Sequence, residues 1–271
     1  MKVNIKVATL VVAATLSFTS LNACTSDDST NTPPTTGGHR AGYTVNDGIL
    51  TACSELPFAP FEYEDPTAED GVTGFDIDLG REIAKRLDLT YRFITVDFNA
   101  LQSGTILAAG QCDIGISAMT ITEARRANLD FSEPYYDSLI ALLVRADSGI
   151  NSIADTAGKI IGVQRGSANQ TYAEANAPAD ATIYEFEGDG DLWIALQAGQ
   201  IAAVLQDQPV VLLHTKADPN YVIAQEYNTG DQYGLAFAKG KLLDLQADVA
   251  QILLTMRTDG SYQMLYDLYF A

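Results

Sequence analysis

Three places in this 271-residue chain carry residue types suited to chemistry. Asp207 follows the apolar run Ala203-Val204-Leu205, which reads as a buried strand. Its carboxylate therefore stands at the carboxyl end of a strand, where α/β sheets usually meet ligands, and its charge suits an ammonium. Capping the next helix is the alternative. Arg125 offers a guanidinium whose parallel donors match the two oxygens of a carboxylate, unless it is a solvated helix residue like its neighbour Arg126. Arg165-Gly166-Ser167-Ala168 opens a helix, and the free N–H groups of a helix start attract anions. Other chemistries are excluded by spacing. His39, His214 and three cysteines give neither a CxxC nor an HExxH pattern, so no metal or cofactor is implied. Glu187-Gly188-Asp189-Gly190-Asp191 alternates acid and glycine but lacks the later bidentate glutamate of a calcium loop, which makes it a solvated turn. Trp193 lies on an apolar helix face and reads as core.

The elements that must position these residues follow from periodicity. Ile49–Cys53 is a short apolar strand, and Leu79, Ile83 and Leu87 mark an amphipathic helix with Asp76 and Asp78 at its start. The strand Leu89–Val96, a helical stretch over Leu101–Ala109 and the strand Asp113–Ala118 complete an α/β unit with parallel neighbours. A second unit alternates through the strand Lys159–Gln164, the helix Asn169–Ala175, the strand Ile183–Phe186, the helix Leu192–Ala198 and the strand Ala203–Gln206. Leu139–Val144 and Tyr233–Ala238 are the expected crossings between the two. A helical stripe from Leu242 to Met256 and a short aromatic helix follow. Cys53 and Cys112 sit at opposite ends of presumed parallel neighbours, an offset of about 10–13 Å that argues against a disulfide.

Hydrophobic residues make up 47% of the chain, enough for a sizeable core, and 35 acidic against 16 basic side chains give a net charge of -19. Such a surface repels a phosphate backbone, so nucleic acid is excluded as the main partner. Lys2 and Lys6 precede the apolar run Val7–Leu21, too short for a permanent span, so residues 1–23 read as a secretion signal. Residues 24–42 are rich in Ser, Thr, Asp, Pro and Gly and read as a disordered tether. Leu21-Asn22-Ala23-Cys24 is similar to a bacterial lipobox, which implies cleavage before Cys24 and a lipid on its thiol.

Four segments in order carry a resemblance over about Leu50 to Phe270: Pro57-Phe58-Ala59-Pro60-Phe61-Glu62, Gly74-Phe75-Asp76-Ile77-Asp78-Leu79, Met119-Thr120-Ile121-Thr122-Glu123-Ala124-Arg125, and Asp130-Phe131-Ser132-Glu133-Pro134-Tyr135-Tyr136. The chain resembles the extracellular solute-binding proteins, family 3, of polar amino-acid ABC transporters. That resemblance implies a two-lobed α/β periplasmic-binding-protein-like fold with two hinge crossings and the ligand in the cleft. Residues 43–137 and 232–271 then form lobe 1 and 138–231 lobe 2. It implies a monomeric, non-enzymatic protein, held by its lipid at the outer face of the cytoplasmic membrane, that hands an amino acid to a permease.

By the same resemblance, Arg125 and the Thr120 hydroxyl take the ligand carboxylate, the Ala118 carbonyl and Asp207 take the ammonium, and Gln164, Ser167 and Ala168 contribute from the second lobe. Phe58 is the stacking aromatic, Phe98 a second wall whose register is open, and Glu55 the acid that relatives binding polar or cationic side chains often carry. Basic ligands are thereby slightly favoured over glutamine, unless Arg165 faces the cleft and favours glutamate. The enzymatic alternative is a secreted cyclohexadienyl (prephenate or arogenate) dehydratase on the same fold. It needs a general acid and donors for a second carboxylate.

Overall fold

The computed structural model describes residues 42–68 and 70–271; the signal, Cys24 and nearly all of the tether expected from the sequence lie outside the described residues. Two five-stranded sheets share one design. In the first, Thr90–Thr95, Ile49–Ser54 and Ile114–Gly115 run parallel, followed by antiparallel Ala236–Ala238 and then Leu129–Phe131. In the second, Thr182–Phe186, Ile160–Gln164 and Ala203–Asp207 run parallel, followed by antiparallel Ile140–Arg145 and then Tyr221–Tyr227. The first sheet draws on both ends of the described chain and the second on its middle.

The helix Phe75–Arg86 buries Leu79 and Ile83 as its periodicity requires. Asp76 and Asp78 stand in its first turn as expected; Asp76 is fully buried, while Asp78 pairs with Arg81 at 2.6 Å. The helix Leu243–Asp259 buries Leu245, Val249, Ile252, Leu253 and Met256 against the first sheet. Gly260, in the left-handed conformation at φ 82°, ends it and starts Ser261–Phe270. Phe61, Phe75, Tyr136, Tyr233 and Phe270 meet there with ring centroids 5.0–6.4 Å apart, an aromatic cluster that stiffens the base of the first lobe.

The crossings differ from expectation. Leu139–Val144 falls almost entirely on the strand Ile140–Arg145 inside the second sheet, and half of Tyr233–Ala238, the strand Ala236–Ala238, belongs to the first. The chain crosses instead through two-residue strands, Tyr136–Asp137 paired with Gln232–Tyr233. Leu139–Val144 is apolar on both faces because it is an interior strand, and such runs are covered on both sides. The expected helix over Leu101–Ala109 is two short helices, Phe98–Gln102 and Thr105–Ala108, broken at Gly104 with φ 84°.

Cys53 and Cys112 form a disulfide with Cα atoms 5.9 Å apart, contrary to the offset argument. Register does set Cys53 opposite Gly115, three residues beyond Cys112. Cys112 precedes the strand, however, and the turn through Gly110 and Gln111 returns it beside Cys53, so extended spacing does not apply. The bridge closes a loop of 59 residues. Reducing it should lower unfolding stability by about 2–4 kcal/mol, read as a shifted urea midpoint with and without reductant. An unshifted midpoint would contradict that contribution.

Candidate functional site

All ten ligand-contact residues expected from the sequence line one cavity: Glu55, Phe58, Phe98, Ala118, Thr120 and Arg125 on the first-sheet side, and Gln164, Ser167, Ala168 and Asp207 on the second. Ser117 and Asn169 join them. Both neighbour expected residues in sequence, and the alternation of a strand or the start of a helix was the signal that could have found them.

Thr122 caps the one-turn helix Glu123–Arg126 by accepting the Arg125 backbone N–H at 3.2 Å. This turn aims Arg125 inward, only 6% exposed. Its Nη1 donates to the Thr120 carbonyl at 2.6 Å and its Nη2 to the Gly166 carbonyl at 2.9 Å, while the guanidinium lies 5.4 Å from the Phe98 ring centroid. Burial lowers its pKa to about 10, with the charge of Asp207 opposing that shift. Arg126 behaves as the alternative foresaw, its exposed side chain 3.8 Å from Glu123.

Asp207 occupies the capping position of the helix Gln208–Ala217 but makes no capping bond. It accepts from Asn169 Nδ2 at 2.9 Å, with the Tyr233 hydroxyl nearby. Burial pushes its carboxyl up to about 6, against the pull of these donors and of Arg125. Beside it, Asn169 Oδ1 is buried without a donor. Ser167 caps the helix Ala168–Asn176 by accepting from the Gln170 N–H at 3.0 Å, so the opening turn of that helix faces the cavity through Ala168 and Asn169.

Glu55 accepts a hydrogen bond from Gln164 Nε2 across the cleft. Burial raises its carboxyl to about 8; the Gln164 contact opposes this, and Asp97, Glu187 and Asp189 add to it. Phe98 stands in the wall. Arg165 does not line the cavity and instead pairs outside with Glu185 and Glu187.

The acid–glycine stretch is not a free turn, because Asp189 begins the helix Asp189–Gln197. Its carboxylate meets His214 Nε2 at 3.0 Å and accepts from Gln206 at 3.3 Å. His214 stacks on Trp193 with centroids 4.4 Å apart, so Trp193 packs on the second lobe rather than on the cavity.

The walls are drawn together. Arg125 to Gly166 and Glu55 to Gln164 both join the two sides, and a Cβ on Gly166, at φ 73°, would come within 2.7 Å of Asn99 Oδ1. The cavity encloses about 10 Å³, room on the order of one water. A larger solute would enter only if the walls part.

Comparison with known proteins gives the same picture. The family model for bacterial extracellular solute-binding proteins, family 3, matches residues 50–271. A glutamine-binding protein of Geobacillus stearothermophilus is 32% identical over 244 residues, covering 85% of this chain and 91% of its own length. Among solved structures, an ancestral arginine-binding protein bound to arginine superposes with a TM-score of 0.76 at 34% identity, covering 83% of this chain and 99% of that one. An ancestral amino acid-binding protein described as a precursor of cyclohexadienyl dehydratase superposes with 0.73 at 31% identity, covering 83% and 96%. With its doubled sheets, paired crossings and a cleft between them, this chain belongs to the bacterial extracellular solute-binding proteins, family 3.

Proposed function

We propose that the cleft binds a polar L-amino acid, slightly favouring basic ones, and that the closed form presents it to an ABC transporter permease. The observation that carries this reading is the pairing, in one cavity, of a buried guanidinium on one wall with a buried carboxylate on the other. An amino acid bears the complementary charges a few ångströms apart, and both lose water on closure, so each needs a charged partner. Arg125 with Thr120 and the helix opening at Ser167 and Ala168 take the carboxylate. Asp207, the Ala118 carbonyl and the unpartnered Asn169 Oδ1 take the ammonium. Phe58 and Phe98 flank the side chain.

A cationic side chain gains Glu55 as counter-charge, and Arg165 is neutralised outside the cleft, which removes the reason to favour glutamate. In the free cavity Glu55 holds its proton at pH 7. A bound cation favours the carboxylate, so arginine binding should release a proton. Calorimetry in buffers of different ionisation enthalpy reads that release. Glu55→Gln should abolish it and weaken arginine about tenfold or more, while glutamine affinity stays within a few-fold. Unchanged arginine affinity in the variant would reject the cationic preference.

A thermal-shift screen of the twenty amino acids plus ornithine tests the function itself, since a ligand at a thousandfold excess over Kd adds about 4 kcal/mol of stability. The dehydratase alternative requires donors for a second carboxylate, and Arg125 is the one guanidinium among the cavity-lining residues. In this reading residues 43–137 with 232–271 and residues 138–231 are the moving lobes. A diacylglycerol on Cys24 and the tether over 24–42 hold a monomer at the outer face of the cytoplasmic membrane.

A further inference from the structure

Behind the cavity wall lie two carboxyls that no proposed ligand contact uses. Glu62 and Asp76 are both 0% exposed. The titratable groups acting on them are Glu55, Tyr91, Tyr135 and Tyr262, and among the described residues no ammonium, guanidinium or imidazole pairs with either. Two full negative charges side by side in such a medium would repel strongly.

Their hydrogen bonds leave little freedom. Asp76 Oδ2 accepts from the Ala118 backbone N–H at 2.7 Å and from the Tyr135 hydroxyl at 2.7 Å. Glu62 Oε1 accepts from the Ser117 hydroxyl at 2.6 Å, and that hydroxyl in turn accepts the Glu55 backbone N–H at 3.1 Å. The other two oxygens, Glu62 Oε2 and Asp76 Oδ1, are buried with no well-aligned hydroxyl or amide donor, although the Ser54 hydroxyl stands near Glu62. The two residues are neighbours: Glu62 bonds to Ser117 and Asp76 to the next residue, Ala118, and the Asp76 backbone N–H donates to the carbonyl of Phe61, beside Glu62, at 2.9 Å. Ionised carboxylates only accept hydrogen bonds, so a proton on one of the two is what lets these buried, unpartnered oxygens satisfy each other.

We propose that Glu62 and Asp76 share one proton, and that the resulting neutral–anionic pair is the positioning device that holds Ser117 and Ala118 in the cavity wall. Ala118 needs such a device: its φ of 43° is uncommon for a residue with a Cβ, and its N–H is fixed by Asp76. The consequence for affinity rests on the reading of the cavity as an amino-acid site, whereas the proton does not.

Two measurements test the pair. The first is an infrared difference spectrum between wild type and Glu62→Gln, both free of ligand at pH 7. It should contain a protonated-carboxyl band, because the glutamine amide replaces the shared proton with its own N–H and leaves Asp76 anionic. The second is calorimetry with the best amino acid from the thermal-shift screen. Glu62→Gln should bind within about threefold of wild type, since it still accepts from Ser117 and donates to Asp76. Glu62→Ala should lose about tenfold or more, because it leaves both Ser117 and Asp76 without their partner. Absence of the band, or a Glu62→Gln variant as weak as Glu62→Ala, would overturn the proposal. If wild type bound no amino acid, the functional reading would fall and the band alone would decide on the shared proton.

Discussion

Arg125→Ala should cost about 3–5 kcal/mol of amino-acid affinity, a loss of more than a hundredfold, while the circular dichroism spectrum stays that of wild type. The magnitude follows from burial. Arg125 is the cation among the cavity-lining residues, and without it a ligand carboxylate would be desolvated against neutral groups. Arg125→Lys should recover little, because one ammonium cannot donate to the Thr120 and Gly166 carbonyls and still offer a fork to two ligand oxygens. Removing Arg125 also removes a contact between the walls, so the ligand-free variant should be more open in solution scattering. Calorimetric affinity within a few-fold of wild type would refute the role.

Asp207→Asn should produce opposite effects on binding and stability. Affinity should fall about thirtyfold or more, since the ammonium loses its counter-charge in a buried setting. The stability sign comes from linkage. The folded-state carboxyl titrates near 6 against an ordinary value of 3.8, so between those limits the folded chain holds the proton more tightly than the unfolded one. Stability contributed by the neutral acid is present below that window and is lost as pH rises through it, at most on the order of 3 kcal/mol. Asparagine does not ionise. The melting temperature of the ligand-free variant relative to wild type should therefore rise between about pH 4 and pH 7. A difference that stays flat or falls would show that Asn169, Tyr233 and Arg125 fully compensate the buried charge.

The strands and helices that carry the site were legible because their periodicity is strong. Ala203-Val204-Leu205 reads as a buried strand, and its carboxyl end puts Asp207 where ligands meet a sheet, with helix capping as the alternative. Arg125 is different: a guanidinium beside Arg126 has no periodic signature, and its inward aim depends on the Thr122 cap and a single helical turn. The hinge was misread because its crossing strands have two residues each, too few for any pattern, while the longer apolar run nearby drew the assignment. The strand Tyr221–Tyr227 escaped notice because it lies at a sheet edge, carries Gln225 and Glu226 and is interrupted by a bulge. Glu62 and Asp76 stand in legible motifs, yet nothing in their spacing marks them as buried. Only three-dimensional packing reveals that both are buried and held on the adjacent residues Ser117 and Ala118.

The central claim is that both backbone charges of a free amino acid are recognised, one by each wall of the cleft. Calorimetric titration of the wild-type protein with L-arginine, agmatine and N-acetyl-L-arginine tests it most directly, because agmatine lacks the carboxylate that Arg125 would hold and the acetylated compound lacks the ammonium that Asp207 would hold. The account predicts tight binding of L-arginine and a loss of at least about a hundredfold for each analogue. An analogue that binds as tightly as L-arginine would contradict it.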